Sequence, residues 1–208
     1  MRAGGYQIKA GCIMNKAHAA AVCLLLAGCH AAAPPPAARA PLTGAAIGGP
    51  FTLTDQHGRT VTDRDFAGRY RIMYFGYTFC PDVCPTDALA IGAGLKLLNK
   101  SDPALAARVV PVFVTVDPAR DTPAVLGRFV AAFHPRFVGL TGSPDAIARV
   151  AKEYAVYYSK GPASAGGYLV NHSRAAYLMD PNGKPLALLP TEQGPQAVAD
   201  EIRKWVQP

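Results

Sequence analysis

One stretch limits what this chain can fold into. A strand-like apolar run, Arg71-Ile72-Met73-Tyr74-Phe75, passes into Gly76-Tyr77-Thr78-Phe79-Cys80-Pro81-Asp82-Val83-Cys84-Pro85 and then into a helical pattern. Two thiols at Cys-x-x-x-Cys spacing on a strand-to-helix junction make a redox or metal site rather than a packing element. Pro85 suits the first helical position and Asp87 the first turn, which places Cys84 beside the helix N-terminus. The partial positive charge there favours a thiolate. The spacing lets the two sulfurs converge, either to close a disulfide or to clasp one metal ion. An inert staple is the competing reading, and a bridge over so short a loop would restrict the unfolded chain little.

The rest of the chain alternates around that junction. Phe51 to Thr62 reads as a β-hairpin turning at His57-Gly58, with His57 a solvated turn residue. After Cys84, residues Ala88, Ile91, Leu95 and Leu98 fall at helical spacing. Val109 to Val116 is a buried strand that stops at Asp117-Pro118. Thr122-Pro123 and Ser143-Pro144 each cap and start a helix. His134 reads as a cation at the end of the first of these. Further extended runs lie at Phe137 to Leu140, Val156 to Tyr158 and Tyr168 to Val170. A second hairpin turns at Pro181-Asn182-Gly183, and a last helix begins at Pro195 and buries Val198, Ile202 and Trp205. The alternation predicts an α/β fold: a central mixed sheet flanked by helices, with an N-terminal β-hairpin and its site at the carboxyl end of a central strand. A thiol pair opening the helix after such a strand points to a thioredoxin-like fold. Half of the 208 residues are apolar, enough for a sizeable core.

The first 28 residues read as an export signal. Lys16 precedes an apolar run, Ala17 to Ala27, too short to span a bilayer. It ends in Leu26-Ala27-Gly28-Cys29, which resembles the bacterial lipobox, so Cys29 is expected to be the lipidated mature N-terminus. Met14 is a plausible start, since Met14 to Cys29 alone makes a short lipoprotein signal. Residues 29–50 are Ala/Pro/Gly-rich and read as a semi-extended tether, leaving residues 51–208 as the folded domain. Loss of Arg2, Lys9 and Lys16 would take three of the seven net positive charges. The remainder is mild, and no basic cluster points to nucleic acid. With Cys12 and Cys23 removed and Cys29 blocked, Cys80 and Cys84 are the remaining free thiols. They face an oxidising, extracytoplasmic or periplasmic space.

At three places the residues resemble the Sco/SenC family: Tyr77 to Pro85; Val116-Asp117-Pro118-Ala119-Arg120-Asp121-Thr122-Pro123; and Asn171-His172-Ser173, followed by Tyr177-Leu178-Met179-Asp180 and Gly183. The resemblance covers roughly Phe51 to Trp205. It implies a membrane-tethered, thioredoxin-like copper protein that serves assembly of the binuclear copper site of cytochrome c oxidase. It further implies copper ligands at Cys80, Cys84 and His172, with Asp117 near the site and the oxidase's copper-site subunit as partner. Two thiolates suit Cu(I), and an added imidazole also accommodates Cu(II). Such a protein is a metallochaperone rather than an enzyme, with thiol–disulfide reductase work left open.

Read alone, His172 is more simply a structural histidine than a ligand, and Asp117 equally a turn-former before Pro118. Arg120 and Asp121 read as loop-ordering charges. The family usually carries an acidic residue where this chain has Asn171, which would weaken orientation of the imidazole. The rival function is a thiol–disulfide oxidoreductase or redox sensor that uses a Cys80–Cys84 disulfide without metal. Three intervening residues, rather than the two of thioredoxin-type reductases, favour metal. If a disulfide is the default state of the metal-free site, an exported thiol reductant is a second partner.

Overall fold

A computed structural model describes residues 39–163 and 167–206; the lipidation expected at Cys29 lies outside them. Strands β1 (Thr52–Asp55) and β2 (Thr60–Thr62) form the N-terminal hairpin, pairing Thr52 with Thr62. Next come β3 (Tyr70–Gly76), helix α1 (Val83–Ser101), a short α2 (Pro103–Ala107) and β4 (Val109–Thr115). Helix α3 (Pro123–Ala131), β5 (Val138–Thr141) and α4 (Pro144–Glu153) continue the alternation. A two-stranded ribbon, β6 (Tyr158–Lys160) with β7 (Val170–His172), precedes β8 (Ala176–Met179), β9 (Pro185–Leu188) and helix α5 (Pro195–Trp205).

The seven-stranded sheet runs β2-β1-β5-β4-β3-β8-β9, with β3, β4 and β5 parallel and β1, β8 and β9 antiparallel to their neighbours. This is the mixed, thioredoxin-like sheet that the alternation predicts. All seven residues of β3 and of β4 are buried, as central strands covered on both faces must be. Side chains alternate along β3. Tyr74 meets Phe113, whose ring lies 5.0 Å from Phe129 of α3, while Phe75 meets Tyr154, next to α4, at 5.3 Å. Helices α1 and α3 therefore cover one face and α4 the other. Thr122 Oγ1 accepts from Val125 N at 3.4 Å and Ser143 Oγ from Ala146 N at 3.2 Å, so both caps form where expected.

Four local features differ from the sequence reading. Helix α1 begins at Val83, putting Pro85 at its third residue; every position of a first turn tolerates the missing N–H. Helix α2, with Asp102 accepting from Leu105 N at 2.9 Å, is one short turn that periodicity does not register. Part of the stretch read as tether lies on the domain. Leu42 N donates to Leu186 O, Gly48 N to Glu153 O, and Leu42 and Ile47 pack against the core. His134 is not a helix-end cation. It is buried, its Nδ1 accepts from Arg136 N at 3.1 Å, and burial, with Arg136 and Lys96 nearby, holds its pKa below the usual value.

Candidate metal centre

The site forms where β3 runs out. Cys80 lies half-buried in the loop after Gly76, and Cys84 is the second residue of α1, fully buried. Gly76 makes that position possible, because a Cβ there would stand 2.9 Å from Cys84 Sγ and 3.0 Å from the Tyr74 ring. Burial pushes the Cys84 thiol well above its usual pKa, and the neighbouring Cys80 sulfur adds to the effect. The Tyr77 backbone N–H and the Tyr74 hydroxyl oppose it without prevailing. The thiolate expected from the helix N-terminus is therefore not the resting state; desolvation wins over the dipole. A thiol this hard to ionise is a poor nucleophile. A soft cation that displaces the proton neutralises the sulfur in the same low-dielectric place.

His172 closes the site from 88 residues away, at the end of β7 opposite Tyr158, rather than in a free loop. Its Nδ1 lies 3.0 Å from Ser173 O, and a carbonyl only accepts, so Nδ1 carries the proton. Nε2 is left with its lone pair directed at Cys84 Sγ, 3.2 Å away, and accepts the S–H. Burial lowers the His172 pKa, which keeps the ring neutral and able to ligate. Tyr77 packs edge-on against the imidazole at 5.9 Å. One ligand atom each from Cys80, Cys84 and His172 lies within 4.8 Å of the others, a set that could hold one metal ion. Asn171 pairs with Ser159 and is exposed. Neighbours on a strand face opposite ways, so the Ser173 carbonyl orients the ring where a preceding acid was expected to.

Two polar clusters that the sequence reading did not assemble hold these ligands. Asp87, one turn after Cys84 and fully buried, accepts from Arg174 Nε at 2.8 Å and Nη2 at 2.6 Å, and from Tyr74 OH at 3.0 Å. Asp121 accepts from Thr78 N at 3.0 Å, Thr78 Oγ1 at 2.6 Å and Thr115 Oγ1 at 2.6 Å, pinning the cysteine loop to the end of β4. Asp121 thus orders the loop, as its position suggested. Asp117 is buried two residues past β4. Its Oδ2 accepts from Arg120 Nε at 2.5 Å and its Oδ1 from Tyr168 OH at 2.8 Å. Arg120 lies over the rings of Tyr168, Phe79 and Tyr77, at 3.7, 4.8 and 5.7 Å. Asp117 thus holds Arg120 and Tyr168, and Arg120 in turn lies against Phe79 and Tyr77, neighbours of Cys80 and His172. His57 is an exposed turn residue whose N–H bonds Asp55.

Fold and donor set together define a thioredoxin-like domain with a sulfur-rich metal centre. The SCO1/SenC family profile matches residues 39–207, and the chain belongs to that family. It is 44% identical over 137 residues to the mitochondrial SCO1 homolog 1 of Arabidopsis thaliana, covering 66% of this chain and 40% of that protein. It is 43% identical over 158 residues to the protein SenC of Rhodobacter capsulatus, covering 76% and 70%. Among solved structures, Bradyrhizobium japonicum ScoI with copper bound superposes with a TM-score of 0.70 at 40% identity, covering 77% of this chain and 99% of that one. A SCO1/SenC family lipoprotein from Bacillus anthracis superposes at 0.62 with 25% identity, covering 77% and 95%.

Proposed function

We propose that this protein binds copper through Cys80, Cys84 and His172 and delivers it, or reducing equivalents, to the binuclear copper site of cytochrome c oxidase. One observation carries the reading: two sulfurs and one unprotonated imidazole nitrogen converge within 4.8 Å, with His172 reaching Cys84 from 88 residues away in the chain. Two soft sulfurs and one imidazole suit Cu(I) and accept Cu(II). Copper is cargo here, and the chain's own residues serve to gather the donors, fix the imidazole tautomer and exclude water. The copper-bound relative and the family membership support the assignment.

The exported, lipid-anchored location belongs to the same reading. It rests on the Leu26-Ala27-Gly28-Cys29 sequence, on the lipoprotein relative, and on the finding that no helix among the described residues could cross a membrane. The exposed Phe79, Tyr157 and Leu169 lie next in sequence or close to the donors and their strand partner, and offer apolar contact to a docking copper-site subunit. A purely thiol–disulfide function is less well supported, because His172 brings to the two sulfurs a third donor that exchange does not need.

The test is anaerobic titration of the reduced protein with Cu(I) and Cu(II), read by absorption. The expected result is one copper per chain with sulfur-to-Cu(II) charge-transfer bands that are lost or redrawn in His172→Ala. Uptake and spectra identical in wild type and His172→Ala would return His172 to a structural role and sink the three-donor site.

A further inference from the structure

At the end of the sheet opposite the thiols, Arg71 occupies the second position of β3 with 4% of its surface exposed. Its side chain lies on the face covered by α4. Nη1 donates to the main-chain oxygen of Asp63 at 3.2 Å, but Nε has no protein acceptor, and no carboxylate among the described residues forms an ion pair with the group. A guanidinium cannot shed its proton to escape burial, so the charge needs an anion or a polar partner. The surroundings supply room for one. A cavity of about 280 Å³ opens on Arg71, lined also by Tyr154, Lys184, Asp63 and residues 45–50. Its wall is shaped around the guanidinium: at Gly183, with φ +78°, a Cβ would collide with Arg71 Nη2. The lining carries Arg71 and Lys184 against Asp63, whose Oδ1 already accepts from Phe51 N at 3.3 Å.

We propose that this cavity is a binding site for a small tetrahedral oxyanion of the phosphate or sulfate class. Arg71 would donate from Nη2, the guanidinium nitrogen open to the cavity, with Lys184 and the Tyr154 hydroxyl as further donors. The volume holds such an anion with several waters of about 30 Å³ each. Residues 45–50 form one wall, so the bound anion fastens the segment leading in from the N-terminal region onto β3 and the β8–β9 turn. Nothing in this site touches the thiols, and the inference does not depend on copper.

The experiment titrates the full chain, ¹⁵N-labelled and copper-free in detergent, with inorganic phosphate at an ionic strength held constant with chloride. Saturable shifts of the Arg71 Nε–H and of the Gly48 and Gly183 amides are expected, together with a Tm that rises with phosphate and not with chloride. Arg71→Met should weaken phosphate binding about tenfold or more, the loss of a charge-assisted contact. Lys184→Ala alters an exposed side chain and keeps the fold, so it tests the site even if Arg71→Met does not fold; it should weaken binding by about threefold or more. Non-saturating shifts matched by chloride would overturn the proposal, and so would a phosphate Kd unchanged in Lys184→Ala.

Discussion

Arg174 and Asp87 form a two-pronged ion pair that joins the strand end carrying His172 to the helix carrying Cys84. Arg174 lies two residues after the imidazole and Asp87 three residues after the thiol, so the pair fixes the distance between two donors that are remote in sequence. Asp87 is fully buried, while the Arg174 side chain keeps 38% of its surface in solvent. Arg174→Met should therefore leave a buried carboxylate with the Tyr74 hydroxyl as its remaining side-chain partner and destabilise the fold by about 2–3 kcal/mol, below the fully buried range because of that exposure. Copper affinity should fall together with stability, since the relative placement of His172 and Cys84 loosens. Chemical denaturation and a competition titration on the same preparation measure both. Unchanged affinity in a destabilised variant would mean that the pair serves the fold alone.

Asp117 is expected to act at one remove. Its carboxylate holds Arg120, which lies over Phe79 beside Cys80, and Tyr168, which leads into β7 and His172. Asp117→Asn keeps the shape but weakens the charge-assisted bond to Arg120, so copper affinity or complex stability should change more than the Tm. A shift confined to the Tm would reduce Asp117 to a turn-former before Pro118.

What the sequence made legible follows from separation along the chain. Cys80 and Cys84 share one loop, and their junction with β3 was visible because an apolar run and a helical pattern flank them. Thr122-Pro123 and Ser143-Pro144 are local signals, and both caps formed. His172 is 88 residues from Cys84, so resemblance to a family motif flagged it and spacing could not. Asp87 was visible only as an acid in a first helical turn, which looks the same whether it serves the dipole or a buried pair. Its partners Tyr74 and Arg174 lie on two other elements, and only the fold brings the three together. The thiolate expected at Cys84 failed for a related reason: the helix dipole is local and readable, whereas burial under β3 and β7 is a tertiary property.

His134 is expected to make the domain sensitive to mild acid. Burial, Arg136 and Lys96 depress its pKa in the fold below the 6.5 of an unperturbed histidine. The unfolded chain therefore binds the proton more readily, and stability rises with pH wherever that difference persists. The contribution is fully present above pH 6.5 and is lost as pH falls toward the depressed value. His134→Asn, which retains an acceptor for Arg136 N, should lose less stability than wild type between pH 7.5 and about pH 5. Thermal melts at the two pH values check this, and equal losses in both proteins would assign the acid sensitivity to other groups.

Copper uptake should depend on the oxidation state of the thiol pair. In the fold both cysteines are free thiols, with sulfurs close enough to share one ion with His172. A Cys80–Cys84 disulfide removes both thiolates and leaves one imidazole, too few donors for tight copper binding. Loading from the oxidised state requires two electrons and two protons from a dithiol donor, which leaves that step as a disulfide. Cys80, half-buried in its loop, is the sulfur an incoming thiolate can reach, while Cys84 is enclosed by Gly76, Tyr74 and His172. The mixed disulfide should therefore form on Cys80 with the Cys84 sulfur leaving, and a donor that lacks its resolving cysteine should be trapped on Cys80 of the disulfide form. Copper uptake measured on dithiol and disulfide forms at equal concentration should show tight binding by the dithiol form alone. Equal, tight uptake by the disulfide form would place the ligands elsewhere and remove the thiol pair from the metal centre.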